Sequence, residues 1–274
     1  MKLRNTFIAP AALLTAVTML APLAIIVVYS LLTRGAYGGV ELPWTSENYT
    51  RLFDPVYGEI FLRSLWIAAV ATALCLLLGF PLAMFIARSG ARKNLYLSLV
   101  ILPFWTSFLI RTYAWMFLLR DTGLLNSALQ ALRIIREPLP LLYNDGAVIL
   151  GLVYGFLPFM VLPLYATIER LDPSLLEAAA DLGARPWETL VRVILPLCAP
   201  GIRAGAILVF VPCLGTYLTS DLLGGSKTVL IGNVVQNQFT TSRDWPFGAA
   251  LSLALMAIAM VLLFAARTKG EELL

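Results

Sequence analysis

Long apolar windows alternate along the chain with short charged connections. A bilayer-spanning helix needs about 20 mostly apolar residues. Windows of that length occur at residues 7–33, 64–87, 95–119, 146–168, 201–221 and 246–266. The pattern predicts an all-α polytopic membrane protein with six transmembrane helices, read over residues 1–274 as one membrane domain. The first window far exceeds the roughly 7–15 apolar residues of a signal-peptide core. No small-residue cleavage site followed by a soluble domain comes after it, so it reads as a retained helix. Prolines puncture most windows (Pro10, Pro22, Pro81, Pro103, Pro158, Pro163, Pro212). Such breaks are tolerated where neighbouring helices or a wet cavity satisfy the freed carbonyls, which suits a bundle that rearranges.

Composition narrows the classes. The 274 residues are 59% hydrophobic and 13% charged, against about 45–50% and about 25% in an average soluble domain. Mean hydropathy is +0.83. Disorder is excluded, because it needs low hydrophobicity and high charge. The chain has no histidine, which removes imidazole bases, Ser-His relays and His-ligated metals. Cys75, Cys198 and Cys213 are scattered, fitting buried small hydrophobes rather than a zinc site or disulfide framework. The net charge of +4 forms no basic face for nucleic acid.

The basic residues instead mark topology. With the amino terminus cytoplasmic, 11 Lys and Arg fall inside (Lys2, Arg4, Arg88, Arg92, Lys93, Arg170, Arg185, Arg192, Arg203, Arg267, Lys269) and 8 outside (Arg34, Arg51, Arg63, Arg120, Arg133, Arg136, Lys227, Arg243), with Arg111 within a span. The tight loop Arg88-Ser89-Gly90-Ala91-Arg92-Lys93 decides the matter, and both termini read as cytoplasmic. Among the outer connections, Leu124–Ile135 is an apolar stretch at helical spacing, and Gly224-Gly225 opens a turn before a short amphipathic segment.

Between the fourth and fifth windows lies a cytoplasmic loop of different character, about residues 172–197. Asp172 suits an N-cap and Pro173 the first helical position. Gly183 ends that short helix as a C-cap. Pro186 opens a second helix, which Pro196 is expected to close. Ala178, Ala179 and Ala180 keep one side slim enough for a partner's backbone.

In this loop Glu177-Ala178-Ala179, Gly183 four residues later, and Val193-Ile194-Leu195-Pro196 resemble the EAA-loop pattern of permease subunits of ATP-binding-cassette importers. Val193 replaces the usual isoleucine at nearly the same volume. The resemblance implies a type I importer permease fold, with the two-helix loop seated in a groove of an ATP-hydrolysing partner. Glu177, Ala178, Ala179, Leu182, Gly183, Leu195 and Pro196 are then the coupling residues, Glu177 for polar contact and Gly183 for the turn. The chain has no GxxxxGK[ST] phosphate loop, so no cofactor is expected in it, and ATP and Mg belong to the partner ATPase. The implied assembly holds a second permease subunit, an ATPase dimer and an external substrate-binding protein, with membrane lipid around it and no nucleic acid. It places the chain in a bacterial inner membrane.

A narrower resemblance runs from about Asn48 to Ala250. Glu47–Pro55, Leu102–Tyr113, Gly151–Tyr154, Leu157–Met160, Ser220–Gly225 and Arg243–Gly248 look like the first permease subunit of spermidine/putrescine importers. That subfamily also holds importers for opines, other organic cations and phosphonates. Aromatic faces attract cations by roughly 0.5–2 kcal/mol each, and Trp105, Tyr113, Trp115, Tyr154 and Tyr217 lie where they can line a path. Taken singly, each suits a lipid belt or packed core better. Asp221, at the outer end of the fifth window, is the acidic candidate for a cation site or a helix-end charge. Arg111 cuts across this picture: an intramembrane arginine costs about 2.5–3.5 kcal/mol and repels a polycation. It reads as a gate paired with a carboxylate, Asp221 or one on the partner permease, while an anionic solute would use it directly. An intramembrane enzyme is the rival class, but the windows carry no paired aspartates and no Ser-His set.

Overall fold

The computed structural model describes the backbone of residues 2–271 and the side chains of residue 10 and residues 13–264. The side chains of Lys2, Arg4, Arg267 and Lys269, which carry part of the topology reading, lie outside the described residues. In chain order the elements are α1 (Lys2–Ser30), the strands β1 (Leu32–Arg34) and β2 (Val40–Trp44), α2 (Glu47–Arg51) and α3 (Pro55–Ala87). There follow α4 (Lys93–Ile101), α5 (Phe108–Leu119), α6 (Leu124–Ala131), α7 (Asp145–Ile168), α8 (Pro173–Asp181) and α9 (Pro186–Thr189). The last are α10 (Leu195–Leu197), α11 (Ala199–Gly215), α12 (Ile231–Phe239) and α13 (Trp245–Glu271).

Among the described residues, four helices, α1, α3, α7 and α13, are long and apolar enough to cross a membrane. The 33 residues of α3 reach about 50 Å at 1.5 Å per residue. Two further stretches qualify only as bent pairs. Gly90–Trp105 and Phe108–Ala131 meet at 88°, and Pro186–Leu197 and Ala199–Gly215 at 68°. Counting each pair as one crossing gives six.

The first bend falls inside window 95–119. A 3-10 turn at Leu102–Trp105 carries Pro103, and Thr106 and Ser107 are extended. Proline lacks the N–H that would continue the ladder. Thr106 Oγ1 instead donates to the Pro103 carbonyl at 2.7 Å. The second bend corrects the expected role of Pro196. Residues Leu190–Ile194 form a wide π-turn, and the helix continues through Pro196 to Leu197 before bending at Cys198. A wide turn shifts hydrogen bonding to i−5 and makes room for a proline ring two residues later. The proline therefore rides within the helix.

The chain divides into two compact units. The unit Leu62–Leu230 packs α7 against α11 around buried Leu152, Met160, Leu164, Val209 and Leu214. Lipid tails are as apolar as leucine, so close packing rather than water exclusion holds such helices. Gly205 permits this approach: a Cβ there would sit 2.7 Å from Met160 Sδ.

The other unit joins the residues up to Phe61 with those from Ile231. Here α1 and α12 pack on α13, and Ile231, Phe247 and Leu251 form a fully buried core with Tyr57 and Phe61 against it. β1 and β2 form an antiparallel hairpin. Arg51 meets Asp244 at 2.9 Å and lies 4.0 Å above the Phe247 ring. Asn48 Nδ2 donates to the carbonyls of Ser30 and Leu32 at 3.0 and 2.9 Å. These polar ties order the connections that follow α1.

Candidate functional site

Two sites of different construction stand out in the unit Leu62–Leu230. The first is the two-helix projection formed by α8 and α9. Asp172 Oδ1 accepts the Ser174 N–H at 2.9 Å and Pro173 takes the first position, as the spacing predicts. The carboxyl of Asp172 is held below its usual range, first by that backbone N–H and then by the Ser174 hydroxyl. At the far end of α8, Gly183 N–H donates to Ala180 O at 2.9 Å and Ala184 N–H to Ala179 O at 3.0 Å. That pair of bonds defines a Schellman end. It places Gly183 at φ +79°, in the left-handed region that only glycine adopts without strain. The Glu188 carboxylate then reaches back to the Arg185 N–H at 2.9 Å and starts α9.

Glu177, Ala178 and Leu182 lie on the exposed surface of this projection and Ala179 is half-buried. Leu182 is 89% exposed and Trp187 70%. Leu195 is half-buried and Pro196 exposed beyond the π-turn, whose Ile194 is buried beneath. The projection rests on a corner that sequence reasoning missed. Lys93 Nζ forms an ion pair and hydrogen bond with Glu169 Oε1. The hydrogen bond to Glu169, then its charge, raises the Lys93 ammonium above its ordinary value. The same bond, then one with Tyr165, holds the Glu169 carboxyl below the usual range. Beside the pair a cavity of about 280 Å³ lies among Met84, Arg88, Ile168, Pro173, Leu176 and Ile194. The start of α4 and the end of α7 are thereby joined by one polar clasp beside the base of α8.

The second site is an aromatic pocket around Arg111. The 88° bend ends one turn before this residue, whose N–H donates to Ser107 O at 3.2 Å. The Arg111 guanidinium carbon lies 4.3 Å from the centre of the Phe104 ring, 5.6 Å from Phe108 and 6.0 Å from Tyr154. Its Nε and Nη1 are buried and have no hydrogen-bond partner among the described residues. The rings continue the cage: Phe104 meets Phe159 edge-on at 5.6 Å, and Phe156 is 6.0 Å from Phe159. An open pocket of about 540 Å³ is lined by Phe104, Phe108, Arg111, Phe156, Phe159 and Thr216 among others. Gly155 makes room for it, since a Cβ there would stand 2.8 Å from Phe108 Cε2.

Of the residues proposed for a path, the structure gathers Arg111, Tyr154 and Trp115, the last edge-on to Tyr154 at 5.5 Å. Trp105 is 83% exposed, and neither it nor Tyr113 lines the pocket. Tyr217 and Asp221 stand one turn apart, joined by the Asp221 N–H to Tyr217 O bond of 2.9 Å. Arg111 is held by rings and forms no ion pair among the described residues. The pairing of Arg111 with Asp221 is thus replaced by stacking, because the bend brings Phe104 over the guanidinium. Phe104, Phe108, Phe156 and Phe159 were missed. Phe104 lies before the break at Thr106–Ser107 and Phe108 and Arg111 after it, so the bend and not a helical period brings the three together. Phe156 and Phe159 join them only through packing of α7.

Such a pocket offers flat electron-rich faces to a cation and unmet N–H donors to an anionic group. Comparisons with known proteins bear on which is used. The family model of the binding-protein-dependent transport system inner membrane component matches residues 76–268. The chain is 48% identical over 243 residues to the spermidine/putrescine transport system permease protein PotB of Escherichia coli (strain K12), covering 88% of each chain. It is 45% identical over 247 residues to PotB of Haemophilus influenzae, covering 90% of this chain and 86% of that protein. Among solved structures, a bacterial alginate ABC transporter in complex with alginate pentasaccharide-bound periplasmic protein superposes with a TM-score of 0.73. It covers 96% of this chain and 92% of its own at 20% identity, a likeness of fold.

Proposed function

The chain belongs to the family of binding-protein-dependent transport system inner membrane components, and from that premise we propose that it carries polyamines of the spermidine and putrescine kind. It is a transport subunit and not an enzyme. The solute reading rests chiefly on the identity to PotB, which runs through nine-tenths of the chain rather than one motif. The aromatic walls formed by Phe104, Phe108, Phe156 and Phe159 suit a flexible cation, whose methylenes and ammonium groups both pack on ring faces.

The energy comes from outside the chain. An ATPase dimer with its ATP and Mg docks on the projection of α8 and α9, where Leu182 and Trp187 supply apolar anchors and Glu177 a charged contact. Closure of that dimer displaces the projection. The short α8, fixed at both ends by its Asp172 cap and Gly183 turn, moves as a block. The Lys93–Glu169 clasp passes the displacement to the start of α4 and the end of α7. A second permease subunit completes the path, an external binding protein delivers the solute, and both termini face the cytoplasm.

The test is ATP-driven uptake of radiolabelled spermidine and putrescine by the complete complex in proteoliposomes, with opines and phosphonates as competitors. Saturable polyamine uptake that depends on the binding protein is expected. Uptake of an opine or phosphonate with none of polyamine would overturn the reading.

A further inference from the structure

Arg111 has hydrogen-bonding capacity that the described residues leave unmet. Its Nε and Nη1 are buried without a partner, and the rings over it attract the charge but accept no strong hydrogen bond. Water can enter an open pocket and accept from these donors, but it brings no countercharge. The cations Arg51, Arg63 and Lys93 have carboxylate partners. Arg111 forms no such pair among the described residues, and the walls of its pocket are phenylalanine rings and small residues that cannot neutralise it. The pocket is open, so an acceptor can enter from outside the chain.

That acceptor belongs either to the solute or to a neighbouring protein. If the solute is a polycation, as proposed above, it repels the guanidinium and cannot be the partner. We propose that Arg111 pairs with a carboxylate of the second permease subunit, forming an inter-subunit ion pair at the mouth of the aromatic pocket. The guanidinium fork matches a carboxylate in two parallel hydrogen bonds. Pairing discharges the pocket, so a polyamine entering it meets ring faces rather than a bare positive charge. A bond between subunits is made in one arrangement of the two permeases and broken in another, which makes it a latch on alternating access. Phe104 sits on the turn that ends at the bend, so its ring is placed to cover the guanidinium when the latch is open.

The test uses the complete reconstituted complex. Arg111→Glu is expected to lower polyamine uptake by about thirtyfold or more, the loss typical of breaking a buried charge pair. Each aspartate and glutamate in the membrane segments of the second permease is then changed to lysine in that background. One such swap is expected to restore uptake and to restore assembly if Arg111→Glu had impaired it. Arg111→Lys, which keeps the charge but loses the fork, is expected to retain partial uptake. Uptake at the unmutated level in Arg111→Met, or rescue by none of the swaps, would overturn the proposal. If the unmutated complex carries no polyamine, the solute reading fails separately. The same swaps are then scored on ATP hydrolysis stimulated by the loaded binding protein, where rescue supports the latch and its absence defeats it.

Discussion

The projection of α8 and α9 and the pocket around Arg111 lie in one compact unit but are built by opposite means. The projection is contiguous in sequence, from Asp172 to Pro196, and its geometry comes from caps: an aspartate at one end, a left-handed glycine at the other. Its side chains are largely exposed, so its shape owes little to neighbours. The pocket draws on three stretches, Phe104–Arg111, Gly155–Phe159 and Pro212–Thr216, and exists only when α5, α7 and α11 are assembled. A surface that docks a partner can be specified locally. A cavity that holds a solute needs walls that come from far apart.

The sharpest way to break this contrast is Gly183→Pro. Proline fixes φ near −65°, far from +79°, and removes the N–H that bonds Ala180 O. We expect the ATPase to be lost on co-purification while ligand binding by the external binding protein stays intact. Full retention of the ATPase would mean that the turn is not what positions the docking surface.

Gly155→Ala should act the other way round. Its methyl would stand 2.8 Å from Phe108 Cε2, and overpacking of this kind costs about 1–3 kcal/mol. Uptake should fall about five- to a hundredfold with ATPase association unchanged, read by transport assay and pull-down together. Equal loss in both would collapse the distinction between the two sites.

The smallest effect concerns the clasp. The folded Glu169 carboxyl titrates below its unfolded value, so its contribution is present above that value and lost as pH falls through the lowered one. The Lys93 ammonium titrates above its unfolded value, so its contribution is present below that value and lost as pH rises through the raised one. Transport coupling should therefore be flat from about pH 6 to about pH 9 as far as this pair is concerned. Glu169→Gln should weaken coupling slightly across that window and flatten the acid side, measured as uptake per ATP hydrolysed.

The projection was legible in the sequence because caps and turns are local. Asp172, Pro173 and Gly183 stand at spacings that the backbone itself requires. The path residues were legible only in part. Arg111 stood out because a charge in an apolar window is costly, and Tyr154 and Trp115 came to lie near it. Trp105 shares the same window yet sits 83% exposed, because the bend at Thr106–Ser107 resets which face each side chain occupies. Helical periodicity cannot be carried across such a break.

By itself the sequence determined the apolar windows, the capped projection and the cost of placing Arg111 among apolar residues, since hydropathy, caps and charge act over a few neighbouring positions. Only the tertiary structure decided that phenylalanines of α7 would wall the pocket, and that Phe104 rather than Asp221 would cover the guanidinium. It also decided that Lys93 would clasp Glu169 across 76 residues. Those contacts depend on bends and on the packing of distant helices, where the free energy lies in surfaces that no local stretch of chain contains.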